Sequence, residues 1–297
     1  MFVEWEAPAG DATRPVVVFV HGGGGQSLDW RLTADGRPGW VDIFVSTGHP
    51  VYIVDRPGHG RSRGIAAHGP VNEPAGPAQA AFVFAGGPVD QQTQWPWRRD
   101  PAGPEIRAIA AGSAGLPADL GAAQRSEADR LIDLLERVGP AVLVTHSLGA
   151  CAAWVVAAER PDLVEAVFAL EPAGPPFARI PGVGELTWGV CAAPLPFAPA
   201  PGDPAVVAAD TTAFAVPGLA RMPIAILASP ASPFRGAAAS VADFLRAVGG
   251  AVELIGLEQH GLEGNGHGMM LEANSDDVAR FLSDRIVAAV QPRSRNG

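Results

Sequence analysis

Val142-Leu143-Val144-Thr145-His146-Ser147-Leu148-Gly149 is the stretch on which the reading of this chain turns. Its first residues favour a buried strand, and the small, apolar residues that follow favour a helix, so a serine sits at a tight strand-to-helix turn. Such a turn holds the serine hydroxyl out at the top of a sheet, which makes Ser147 a candidate nucleophile. Strand and helix approach so closely there that the positions two before and two after the serine are ordinarily small. Gly149 meets that requirement, whereas Thr145 brings a methyl and a hydroxyl that need room.

Outward from this turn, β-branched runs recur at 16–20, 51–55, 141–145, 165–170, 223–228 and 251–255. Helical stretches are expected at about 124–138, 148–159, 236–248 and 275–290. In the first of these, Ala128, Leu131, Leu134, Leu135 and Val138 keep the spacing of one buried helix face. The alternation predicts an α/β protein with a mostly parallel, doubly wound sheet covered on both faces, a single domain over residues 1–297. Two Pro- and Gly-rich excursions interrupt it, residues 64–121 with Trp95 and Trp97, and residues 172–221 with Trp188. Each is too long for a plain loop and follows a strand's C-terminal end, where open α/β sheets bind ligands. They are expected to cap a substrate pocket, with Trp95, Trp97, Trp188 and His146 as candidate substrate contacts.

The 297 residues are 47% hydrophobic and 18% charged, with 36 Gly and 29 Pro, which suits a globular chain with many turns. A net charge of -10 disfavours nucleic acid and anionic membrane surfaces, since both demand a cationic face. All the basic residues that carry a fixed charge are Arg; without any Lys, Schiff-base chemistry and a phosphate-loop lysine are excluded. No cofactor or metal is expected. Residues 1–6 (MFVEWE) lack the features of a secretory signal, and no run reaches the ~18 apolar residues of a membrane span, so a cytoplasmic protein is expected. Cys151 and Cys191 are too few for a disulfide framework.

Acyl transfer needs a nucleophile, a base, a group that orients the base, and donors for the oxyanion. His267, flanked by glycines in Gly264-Asn265-Gly266-His267-Gly268 after the last strand, is the candidate base, with His260 its rival. The strand at 223–228 is followed by Ser229-Pro230-Ala231-Ser232-Pro233, which offers no carboxylate. The strand before it ends at Glu171, on the neighbour of the strand that bears Ser147; parallel strands lie ~4.8 Å apart, so the longer glutamate arm can reach the imidazole. The run His21-Gly22-Gly23-Gly24-Gly25-Gln26 lets the main chain approach a substrate closely, and Leu148 with either Gly23 or Gly24 are the candidate oxyanion donors. His59, in Gly58-His59-Gly60-Arg61-Ser62, reads as a turn residue.

Together these segments, with Asp35-Gly36-Arg37-Pro38-Gly39-Trp40 and the preceding Ala34, Thr93-Gln94-Trp95-Pro96, Leu170-Glu171-Pro172 and Met269-Met270, resemble the α/β-hydrolase superfamily over nearly the whole chain. More narrowly they resemble bacterial esterases with a Ser-Glu-His triad. The resemblance implies Ser147, Glu171 and His267 as that triad and ester hydrolysis as the reaction type; a serine carboxylesterase acting on a small or medium, largely apolar ester is the activity expected. Lactone opening, carbon-carbon bond hydrolysis and acyl transfer remain open, as do a non-catalytic binding role and a homodimer.

Overall fold

The computed structural model describes residues 1–33, 35–63 and 70–290. Ala34, in one of the segments of resemblance, lies outside the described residues, as do 64–69 at the start of the first excursion and 291–297. In chain order the strands and α-helices are β1 (Phe2–Glu6), β2 (Val17–Val20), α1 (Trp40–Ser46), β3 (Val51–Asp55), α2 (Pro77–Ala85), α3 (Pro104–Gly112) and α4 (Leu120–Val138). There follow β4 (Ala141–His146), α5 (Gly149–Glu159), β5 (Val164–Leu170), β6 (Arg179–Ile180), β7 (Gly184–Glu185), α6 (Pro204–Ala209), β8 (Pro223–Ala228), α7 (Arg235–Ala247), β9 (Ala251–Gly256) and α8 (Ser275–Ala289).

Among the described residues the main sheet runs β1-β3-β2-β4-β5-β8-β9, and all its neighbours pair in parallel except β1 with β3. Every residue of β2 and β4 is buried, because helices cover both faces and leave no solvated side. That is why the sequence shows continuous apolar runs there rather than alternation. α5 is buried along nearly its whole length behind the serine turn, with Cys151 and Trp154 inaccessible. One core, containing α4 and α5, packs on one face of the sheet; the other, containing Trp30, Trp40, Phe44 and the apolar side of α8, packs on the opposite face.

The strands and helices expected from periodicity are present, with boundaries moved by a few residues. β1 was not expected. It is a half-exposed edge strand, and antiparallel pairing of Phe2 with Asp55 through Glu6 with Val51 holds it rather than an apolar run of its own. The first excursion contains α2 and α3, and the second a two-residue hairpin of β6 and β7 followed by α6. Pro77, Pro104 and Pro204 each occupy the first helical turn, where a missing N–H costs nothing; proline is a start signal there rather than a breaker.

Candidate functional site

β4 and β5 end in register, His146 opposite Leu170, so Ser147 and Glu171 are the next residues on adjacent strand ends. Ser147 N–H donates to the Leu170 carbonyl at 3.0 Å, and Glu171 N–H donates to the Leu227 carbonyl of β8 at 2.9 Å. Both residues take left-handed backbone conformations, φ 51° at Ser147 and φ 47° at Glu171, which L side chains adopt at a cost. Two strained residues at consecutive strand ends turn their side chains away from the ladder and onto the rim of the sheet.

The serine turn is tight enough to explain its glycine. A Cβ at Gly149 would collide with the His21 carbonyl and stand 2.9 Å from the Val20 carbonyl. Thr145 is tolerated because it points into the core, where it is inaccessible and its hydroxyl has no hydrogen-bond partner.

Glu171 is almost fully buried, with 1% of its surface exposed. Its Oε1 accepts from Ser229 N–H at 2.6 Å, and its Oε2 accepts from the Ser232 hydroxyl. The segment 229–233, empty of carboxylates in the sequence, thus supplies the two donors that hold the carboxylate of the neighbouring strand. His267 Nδ1 lies 3.6 Å from Glu171 Oε2. That is a contact beyond hydrogen-bonding range, and the buried Nδ1 has no hydrogen-bond partner among the described residues. The imidazole is enclosed by Phe234 at a ring separation of 4.7 Å, His146 at 4.5 Å and Phe84 at 6.2 Å. Burial pushes the Glu171 carboxyl up to about 7, against the lowering effect of its bonds from Ser232 and Ser229. Burial likewise pushes His267 down to about 3. The imidazole therefore rests neutral, the form a base must have.

The loop carrying His267 is fixed by a second buried carboxylate, which the sequence reading missed. Glu272, with no accessible surface, accepts from Gly266 N–H at 2.8 and 3.0 Å, from Asn265 Nδ2 at 2.9 Å and from Gln92 Nε2 at 2.9 Å. Gln92 also donates to the Phe84 carbonyl, tying α2 to the loop. A Cβ on Gly266 would overlap the Gln92 amide, so that glycine is required by close approach. His260 is instead exposed and packs on Phe281 of α8, with ring centroids 4.8 Å apart.

The Gly-rich loop after β2 packs directly on the serine turn. A Cβ on Gly22 would stand 2.7 Å from His146 Nδ1 and 3.3 Å from Ser147 Cβ, and one on Gly23 would overlap the Leu148 side chain. Arg56 anchors the loop from beneath, donating from Nη2 to the Gly22 carbonyl at 2.7 Å while Nη1 pairs with buried Glu127. Gly24, at φ 71°, has its carbonyl taken by Ala114 N–H at 2.8 Å. His59 donates to or accepts from nothing in the site; its Nδ1 bonds to the Pro57 carbonyl at 3.0 Å within its own turn.

A cavity of about 300 Å³ opens beside this loop, lined by Gly22, Gly23, Gly25 and His146, by Phe84 of α2, by Ile109 of α3, and by Asp29 and Met270. Of the expected substrate contacts, His146 lines it. Trp95 and Trp97 do not; they pair edge to face at 5.0 Å in the small core between α2 and α3. Trp188 packs on Phe197 at 6.2 Å, and residues 172–221 pack largely into the α4–α5 core instead of lining this cavity. Tryptophan in a long excursion was as compatible with local packing as with ligand contact, and only the tertiary structure separates the two.

A family model described as the alpha/beta hydrolase fold matches residues 15–190. The chain is 29% identical over 318 residues to a protein named "Probable secreted lipase phiG" from Fungal sp. (strain ATCC 74256), covering 95% of this chain and 84% of that one. In structure it is similar to one described as "The Atomic Resolution Structure of a Novel Bacterial Esterase", with a TM-score of 0.68 and 23% identity over 97% of this chain and 85% of that one. A structure described as "Lipase (Open form)" matches with a TM-score of 0.54 and 16% identity over 97% and 94%. No helix among the described residues is long and apolar enough to cross a membrane.

Proposed function

The chain belongs to the alpha/beta hydrolase fold family, and within it we propose a serine carboxylesterase that cleaves small or medium, largely apolar esters through an acyl-enzyme. The observation that carries the reading is the approach of His267 Nδ1 to Glu171 Oε2 at 3.6 Å, on the strand end next to Ser147. The relatives named as a lipase and an esterase support hydrolysis of esters as the reaction type.

In this mechanism neutral His267 takes the proton of Ser147 as Oγ attacks the ester carbonyl, and buried Glu171 orients the ring and stabilises the imidazolium that forms. The proton passes to the leaving alcohol as the C–O bond breaks. Water then repeats the sequence and releases the acid. Leu148 N–H, at the start of α5, is one oxyanion donor, where the positive end of the helix adds to it. The peptide plane supports Gly23 over Gly24 as the other. The Gly22 carbonyl is held by Arg56 and by Gly25 N–H, and in a planar trans peptide the next N–H points the opposite way, away from the buried guanidinium. The cap role of α2 is supported by Phe84, which touches both His267 and the cavity.

Ser147→Ala tests the reading. Hydrolysis of an aryl ester should fall to the uncatalysed rate and labelling by a fluorophosphonate should vanish, with circular dichroism unchanged. Persistent hydrolysis in the variant refutes it, and an unlabelled wild-type protein points to a binding role on the same fold. Turnover of lactones and diketones against simple esters separates the other reactions that share an acyl-enzyme. The cytoplasmic location expected from residues 1–6 is a proposal against which the relative named as secreted weighs; immunoblotting of cells and medium decides it.

A further inference from the structure

The cavity beside the Gly-rich loop is apolar on most sides, with Leu28, Trp30, Leu32, Ile109, Met270 and Leu271 among its walls. One charged side chain, Asp29, stands among its described lining residues. Its Oδ2 accepts from Gln26 N–H at 3.1 Å, and part of its surface stays open. A carboxylate has about four acceptor sites, so one backbone bond leaves most of its capacity unused. Nearby arginines are committed elsewhere: Arg56 to Glu127 and the Gly22 carbonyl, Arg61 to Asp55 and Glu4.

We propose that Asp29 is a polar subsite of the substrate cavity that receives a hydrogen-bond donor of the ester, a hydroxyl or an ammonium group. The inference rests on the esterase reading and narrows its substrate class to esters bearing such a donor at a set distance from the carbonyl. Capping the short turn at Ser27–Trp30 does not by itself call for a charge, since a neutral Asn or Ser side chain also accepts from a backbone N–H. A carboxylate here costs desolvation, which raises the Asp29 pKa to about 6, and a donor from the ligand offsets that cost. The same charge repels a substrate that carries a free carboxylate.

The distance follows from the loop. Gly25 packs on Asp29 Oδ2, Gly25 N–H closes a turn onto the Gly22 carbonyl at 3.2 Å, and a Cβ on Gly22 would stand 3.3 Å from Ser147 Cβ. A four-residue turn spans under about 7 Å, so the carboxylate lies on the order of 10 Å from the nucleophile. An extended chain covers roughly 1.2 Å per bond, so the donor sits roughly five to seven bonds from the ester carbonyl.

The test compares p-nitrophenyl 6-hydroxyhexanoate and 6-aminohexanoate with the hexanoate and the adipate monoester. Butyl and 4-hydroxybutyl acetate probe the alcohol side in the same way. Wild-type protein should prefer the hydroxy or amino ester over the plain one by about 10- to 100-fold in kcat/KM on one of the two sides, the size of a hydrogen bond to a charged group. The adipate should be the poorest. In Asp29→Leu, and in Asp29→Ala should the leucine variant not fold, that ratio should fall toward one. Calorimetric binding of the same esters to Ser147→Ala reads the preference without catalysis, so failure of the esterase reading does not hide the answer. Equal binding of plain and hydroxy esters, or a preference that survives in both Asp29 variants, overturns the proposal.

Discussion

Glu171→Gln replaces a buried carboxylate by an amide of the same shape and should move activity and stability in opposite directions. Ser229 N–H donates to Oε1, so the amide oxygen takes that place and the NH₂ group falls where Oε2 faces His267 Nδ1. A donor there favours the tautomer with Nδ1 bare and Nε2 protonated, which cannot accept the Ser147 proton. The corresponding Asp→Asn change in the Ser-His-Asp proteases costs about 10⁴ in kcat, and a loss of 10³ to 10⁴, or about 4 to 5.5 kcal/mol of barrier, is expected here. Stability should rise above pH 7. The wild-type carboxyl has a folded pKa raised to about 7 from 4.5. Its stabilising contribution is full below the unfolded value and is lost as pH rises through the folded one. The variant has no such loss and should gain about 3 kcal/mol over wild type at pH 8 relative to pH 4, at 1.36 kcal/mol per pKa unit. Ester hydrolysis and urea unfolding at the two pH values measure both effects. Asp210→Asn, on an exposed cap after α6, is the control that should change neither. A Glu171→Gln enzyme within tenfold of wild-type kcat, or one whose stability relative to wild type does not improve between pH 4 and pH 8, would refute the reasoning.

Glu272→Gln should lower kcat by about 10- to 100-fold with little change in KM, because it loosens the Gly266 peptide that positions His267 and reacting groups tolerate little displacement; steady-state kinetics that show an unchanged kcat contradict this. Gly149→Ala places a methyl against the His21 carbonyl and should destabilise by about 1–3 kcal/mol, read as a lower urea midpoint. Thr145→Val removes a buried hydroxyl that has no partner and should stabilise by about 1 kcal/mol, read as a higher Tm, with hydrolysis retained.

The fold was legible because its strands and helices carry their own signals. β3 and β8 follow the β-branched runs at 51–55 and 223–228, and α4 and α8 follow amphipathic spacing, since burial of a whole face forces a period on the sequence. α2 and α3 were less visible in a background of Ala, Gly and Pro. Their signal was the Gly-Pro pairs at 76–77 and 103–104, which open each helix.

What the sequence determined by itself is the sheet, the position of Ser147 in a strand-to-helix turn, and the residue types able to serve beside it. These depend on neighbours a few positions apart. Tertiary structure alone decided that Ser229 and Ser232 hold Glu171 from about 60 residues away, that Glu272 clamps the His267 loop, that His260 faces outward, and that Asp29 rather than Trp95, Trp97 or Trp188 meets the cavity. Hydrogen bonds act over about 3 Å and leave no periodic trace in the chain, so partners brought together by sheet crossovers become visible only once the strands are laid side by side.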